Sequence, residues 1–171
     1  MAQKFMVLEG GKRKLKEGTE VSTGVAESGD LVALGSNGKL DASVLPVGVG
    51  PDVAVLEASE DLTAGEYVNI FDDAGTPKVR LADNSNSRPA HGWVTAAALT
   101  GAQATVYFEG PNESAPAGTT GDRAYLGTAG GVLTVALDET LPANDGKLHQ
   151  LLGNYVGANV INTDIQDCVE L

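Results

Sequence analysis

Apolar and polar residues alternate through residues 56–110, LEASEDLTAGEYVNIFDDAGTPKVRLADNSNSRPAHGWVTAAALTGAQATVYFEG, in runs bounded by Gly, Asp, Asn and Pro. This period-two pattern predicts half-buried antiparallel strands and their turns. It places one strand on Tyr67, Val68, Ile70 and Phe71, a second over Lys78–Ala82, a third over His91–Ala96 and a fourth over Ala104–Glu109. Because Val106, Tyr107 and Phe108 are consecutive, the fourth strand is expected to supply the heaviest part of the core. Further on, Ala124–Leu126 and Val132–Leu137 predict a hairpin around Gly127–Gly131, and Lys147–Val156 and Ala158–Thr163 the closing strands. Val169 and Leu171 are expected to pair at an edge or pack on a neighbour. Residues 111–121 and the segment centred on Pro142, Asn144, Asp145 and Gly146 read as loops, and no long helix is predicted.

Upstream, the apolar run Phe5–Leu8, the pair Gly10-Gly11 and the basic KRKLK segment predict a hairpin, since consecutive glycines supply the positive φ angles of a tight turn. Such a hairpin buries little alone and needs a surface to lie on. Residues 29–34 predict a strand, Ser36-Asn37-Gly38 its turn and Lys39-Leu40 the start of a return. Asp41 is expected to cap a single helical turn through Leu45, ended by Pro46. VGVGP at 47–51 reads as a linker, dividing an N-terminal arm and hairpin region, 1–50, from a β domain, 51–171. One device recurs: at 29–34, 65–70 and 121–126 the chain runs glycine, acid, any residue, apolar, any residue, apolar. A glycine turn feeding a strand produces that spacing. The fold class expected is all-β, a compact barrel or sandwich of short antiparallel hairpins with an extended N-terminal arm.

Composition sharpens this picture. Among 171 residues there are 22 Gly but only 5% aromatics, so the core must be built from Val, Leu, Ile and Ala. A lone cysteine, Cys168, cannot form an intrachain disulfide and fits a reducing cytosol. The opening residues lack the apolar stretch of a signal peptide, and no run is long enough for a membrane helix, so a soluble protein outside the general export route is expected. Charge is uneven. Lys4, Lys12, Arg13, Lys14 and Lys16 face only Glu9 within residues 1–16, a net of about +4, which leaves about −16 on the remainder of a chain of net charge −12. Most of the molecule would repel nucleic acid, and a basic arm on an acidic body suits an acidic protein surface better.

Candidate chemistry is sparse. His91 and His149 stand in no metal-ligand spacing, and His91, before Gly92-Trp93, reads as a packed or hydrogen-bonded imidazole. Cys168 lies among Asp164, Asp167 and Glu170, neighbours that disfavour a nucleophilic thiolate. The acyl-transfer and nucleotide signatures are missing. Asp72-Asp73 and the Asp83–Ser87 run hold oxygen ligands, but they lack the spacing and terminal Glu of a calcium loop and read as turns. No catalytic, cofactor or metal residue is assigned.

In order and spacing, LEASEDLTAGEYVNIF, KVRLAD, AHGWV, GAQATVYFEGPN, YLGTAGGV and, more loosely, LLGNYVGANVI resemble the capsid cement or head decoration proteins of tailed bacteriophages. The resemblance spans about Val53 to Val132 and extends loosely to the C-terminus. It implies a non-enzymatic β protein, made in the host cytoplasm, that binds the outer capsid surface of the virion and bridges capsomers. The expected partners are the major capsid protein and further copies of the chain, in a symmetric homo-oligomer taken as a trimer; no nucleic acid, membrane or cofactor is expected. Phe5, Val7, Leu8, Lys12, Arg13, Lys14 and Lys16 are the candidate capsid-binding residues. GKLDASVLP, residues 38–46, also looks like segments of phage tail-fibre proteins. That likeness implies an alternative, a receptor-binding module whose loops at 111–121 and 138–146 contact a host glycan, with Trp93 or Tyr125 stacking on a sugar. A small β-barrel enzyme is a third alternative.

Overall fold

A computed structural model of the protein describes residues 4–23, 30–36, 38–45 and 52–171. The chain divides into two compact units, Met1–Gly50 and Pro51–Leu171.

In the first unit, β1 (Lys4–Glu9) and β2 (Lys12–Glu17) form an antiparallel hairpin with Glu9 opposite Lys12. Gly10 and Gly11, at φ 59° and 75°, make its turn, a conformation that side chains with a Cβ resist. Among the described residues, the strand expected over 29–34 forms no ladder. Gly29 lies outside the described residues, and the rest make one isolated parallel bridge, Thr19 to Val32, held by Thr19 N–H to Leu31 O and Ala33 N–H to Thr19 O, both 2.9 Å. The turn after it does close, Gly38 N–H donating to Gly35 O at 2.9 Å, although Asn37 falls outside the described residues. A short 3-10 turn, Ala42–Val44, follows Asp41, whose carboxylate accepts the Ser43 N–H at 2.9 Å. The proposed linker at 47–51 lies outside the described residues.

The second unit is all-β, with one further 3-10 turn at Pro142–Asn144. Five strands close a barrel: β3 (Val53–Ala58), β4 (Tyr67–Asp73), β5 (Thr76–Leu81), β6 (Gly92–Val94) and β7 (Gln103–Tyr107), in the order β3-β5-β4-β6-β7. Every pairing is antiparallel except β3 with β5, where Glu57 lies opposite Lys78 and Ala58 opposite Val79. An odd number of strands cannot alternate direction all the way round, so one parallel pair is required by closure. Hairpins alone do not supply it.

A second sheet has the order β10-β9-β12-β13-β8. Its strands are β8 (Gly110–Asn112), β9 (Arg123–Leu126), β10 (Val132–Leu133), β12 (Leu151–Gly157) and β13 (Val160–Thr163). Beside it β11 (Leu148–His149) pairs with β14 (Val169–Glu170). The C-terminal edge pairing is therefore as expected. Residues 110–112, the first of them the end of the patterned stretch and the others read as loop, are in fact an edge strand. Pro111 is tolerated there because an edge needs no donor on its outer side.

Two cores share β4. Val68, Val79, Val94, Val106, Ala58 and Ala104 pack together with Leu62 and Ala98, small side chains that suit a five-stranded barrel. On the other side of the same strands Tyr67, Trp93 and Tyr107, in register across β4, β6 and β7, pack with Ala124, Leu126, Leu152, Tyr155 and Ile161 of the second sheet. Tyr107 and Phe108 are only partly buried, whereas Tyr67, Tyr155, Leu126, Leu152 and Ile161 are fully buried, so the heaviest packing is between sheets and not on β7 alone.

Candidate functional site

The β1–β2 register sorts the hairpin residues onto two faces, because directly opposed residues of an antiparallel pair share a side. Phe5 and Lys16, Val7 and Lys14, and Glu9 and Lys12 occupy one; Lys4 and Glu17, Met6 and Leu15, and Leu8 and Arg13 occupy the other. The candidate residues are thus divided: Phe5 and Val7, half-buried, lie opposite in sense to Leu8 and Arg13. Met6 and Leu15, absent from the candidate set, join Leu8 in an apolar patch whose members are 64%, 70% and 75% exposed respectively. Simple alternation from Leu8 would have found Met6, and the Gly-Gly turn would have found Leu15 once the register was fixed.

Much of the basic charge is already engaged. Lys4 pairs with Glu17 at 3.3 Å, Lys14 with Glu9 at 3.1 Å, and Lys16 with Asp30. The hydrogen bond and charge of Asp30 raise the Lys16 pKa, and Lys16 in turn lowers that of Asp30. Among the described residues, Lys12 and Arg13 have no carboxylate partner. Only Ala33 of the first unit's described hydrophobics is buried, while Val21, Leu31, Val32, Leu34 and Leu40 are exposed like the hairpin patch.

The second unit has two neighbouring clefts with Phe108 and Ile165 in the walls of both. The larger, about 820 Å³, is lined by Trp93, Thr95, Tyr107 through Pro111 and Asn162 through Ile165. The smaller, about 560 Å³, brings His91 to the sequence neighbours Asp167 and Cys168. His91 Nδ1 accepts the Ile70 N–H at 3.0 Å, and burial lowers the imidazole pKa. No hydrogen bond links His91, Asp167 and Cys168 among the described residues, and no group of three His, Cys, Asp or Glu side chains is placed to hold a metal.

Of the suspected oxygen-ligand runs, Asp83–Ser87 is a turn, as expected, whereas Asp72 and Asp73 are the paired end of β4. Asp72 accepts the Gly75 N–H, Asp73 pairs with Lys78 at 2.9 Å, and Asp83 accepts from Ser85 and Ala129. Burial opposes ionisation of Asp83, but those hydrogen bonds prevail and hold it below the usual carboxylate range. Neither ring suggested as a sugar floor is available: Trp93 is 3% exposed and stacked on Tyr107 at 5.2 Å, and Tyr125 is buried against His149. No helix among the described residues is long and apolar enough to cross a membrane. No family model, curated protein or solved structure matches the chain.

Proposed function

We propose that the protein is a non-enzymatic structural component of a phage virion, attaching to the outer capsid surface through its N-terminal hairpin. The observation that carries this reading is the hairpin itself: Met6, Leu8 and Leu15 stand exposed on one face beside Arg13, which has no carboxylate partner among the described residues, and of that unit's described hydrophobics only Ala33 is buried. A two-stranded ribbon is marginal in water, so such a face favours being covered by another surface. Arg13, on that same face, adds attraction to an acidic partner, and the sequence resemblance to capsid cement proteins implies that the partner is the major capsid protein.

The physical logic follows from linkage. A ligand that spans a junction between capsomers and binds only the assembled shell stabilises that shell by mass action. In a homo-oligomer, a trimer in this reading, several hairpins engage together, and effective concentration turns modest single contacts into slow release. The test is binding of the purified chain to expanded empty heads and to dissociated capsid subunits. Saturable binding to heads with a raised disruption temperature is expected; equal binding to dissociated subunits, or none to heads, contradicts the proposal.

A further inference from the structure

Capsid attachment leaves the larger cleft of the second unit unused. Its walls combine partly exposed aromatic surface, Tyr107 and Phe108, with Thr95, Glu109, Asn162 and Asp164. Among the described residues none of these four polar side chains has a hydrogen-bond or ion-pair partner. Trp93, also in the wall, keeps a buried indole Nε1–H with no acceptor, where buried donors are ordinarily paired.

We infer that this cleft binds a neutral saccharide, a hexopyranose unit of a larger glycan. A pyranose has an apolar C–H face that lies against an aromatic ring and a rim of hydroxyls that need both acceptors and donors. Phe108, and the part of Tyr107 that its stack with Trp93 leaves exposed, supply ring surface. The Glu109 and Asp164 carboxylates accept hydroxyl protons, and the Asn162 amide and Thr95 hydroxyl both give and take. Charge selects against anionic sugars, because no Lys, Arg or His lines the cleft and two carboxylates do.

A cationic ligand fits less well. An ammonium is held by several ring faces enclosing one point, yet the Trp93 ring is covered by its stack with Tyr107. The polar groups instead come from separate segments: Thr95 follows β6, Glu109 lies between β7 and β8, Asn162 is in β13 and Asp164 follows it. That distribution matches a ligand with many hydroxyls. The volume, about 820 Å³, lies within the range of small-molecule sites. The inference concerns the second unit alone and stands whether or not the hairpin binds a capsid.

Trp93 is the chain's one tryptophan, so its fluorescence reports on the wall of this cleft. The full-length protein is titrated with methyl glucoside, methyl galactoside, methyl mannoside and N-acetylglucosamine, with choline and glucuronate as charged controls. A saturable emission change with at least one neutral sugar is expected. It should weaken by about tenfold or more in the Glu109→Gln/Asp164→Asn variant, whose exposed positions leave its thermal unfolding unchanged. The inference is overturned if none of the neutral sugars gives a saturable change. It also fails if choline or glucuronate binds as tightly as the best of them, or if the double variant binds like the wild type.

Discussion

The Tyr67 and Thr163 hydroxyls meet at 3.1 Å in the buried seam between the barrel and the second sheet. Tyr67 comes from β4 and Thr163 from the end of β13, so this bond ties the two sheets of the unit directly. Burial raises the Tyr67 pKa, with the hydrogen bonds to Thr163 and Asn112 opposing it.

Removing that bond should cost more than an exposed one. Tyr67→Phe leaves the Thr163 hydroxyl buried without its partner, and a loss of about 1–3 kcal/mol is expected in urea unfolding. Thr163→Val should cost less when added to Tyr67→Phe than when made alone. Additive losses would show that the two hydroxyls are not coupled.

The recurring glycine device gives a sharper contrast. Gly65 and Gly121 have φ of 90° and 96°, and each feeds a strand, β4 and β9. A Cβ on Gly65 would stand 2.1 Å from Ser114 O, whereas one on Gly121 would meet nothing within 4 Å. Gly121→Ala is therefore expected to cost about 1–2 kcal/mol from backbone strain alone. Gly65→Ala should cost about 3 kcal/mol or more, or prevent folding, because a backbone clash is added. Similar melting temperatures for the two variants would contradict this reading.

Stability should fall as the solution is acidified, in two stages. Burial lowers the pKa of folded His91, so the folded chain takes up that proton less readily than the unfolded chain. Its contribution is complete above about pH 6.5 and is lost as the pH falls from there towards the folded value. Asp61 and Asp138 are lowered by hydrogen bonds from Thr100 and Thr140, so their contributions hold above about pH 4 and are lost below it. His91→Asn keeps an acceptor for the Ile70 amide without a titrating ring. Unfolding free energies measured between pH 7 and 5 should be flatter for this variant; an unchanged slope would assign the loss to other groups.

These features were unequally legible in the sequence. Strands β4, β5 and β9 were readable because apolar residues cluster there between turn residues, β4 and β9 being buried on both faces, and the hairpin because Gly10-Gly11 fixes its turn. Strand β3 was not foreseen: VAVLEA follows a linker-like segment, and its role depends on pairing with both β7 and β5, a closure that no local pattern encodes. Strand β8 was hidden by Pro111 and Asn112, although Asn112 is fully buried and its Nδ2 donates to Gly65 O at 2.8 Å. The Lys147–Val156 run divides at Gln150, whose side chain accepts from Ala90 N–H and donates to Ala90 O and Gln166 O. The hairpin's adhesive face was half visible. Leu8 and Arg13 were named, but Met6 and Leu15 needed the register, and the basic segment overstated free charge because local carboxylates pair with Lys4, Lys14 and Lys16.

The most direct measurement is cosedimentation of full-length protein with expanded empty heads, comparing wild type with Met6→Ser/Leu8→Ser/Leu15→Ser. All three positions are exposed, so the unfolding transition of the β domain should not move. Loss of apolar contact at three sites predicts binding weaker by about a hundredfold or more. Decoration of heads by the triple variant at wild-type affinity would contradict the account.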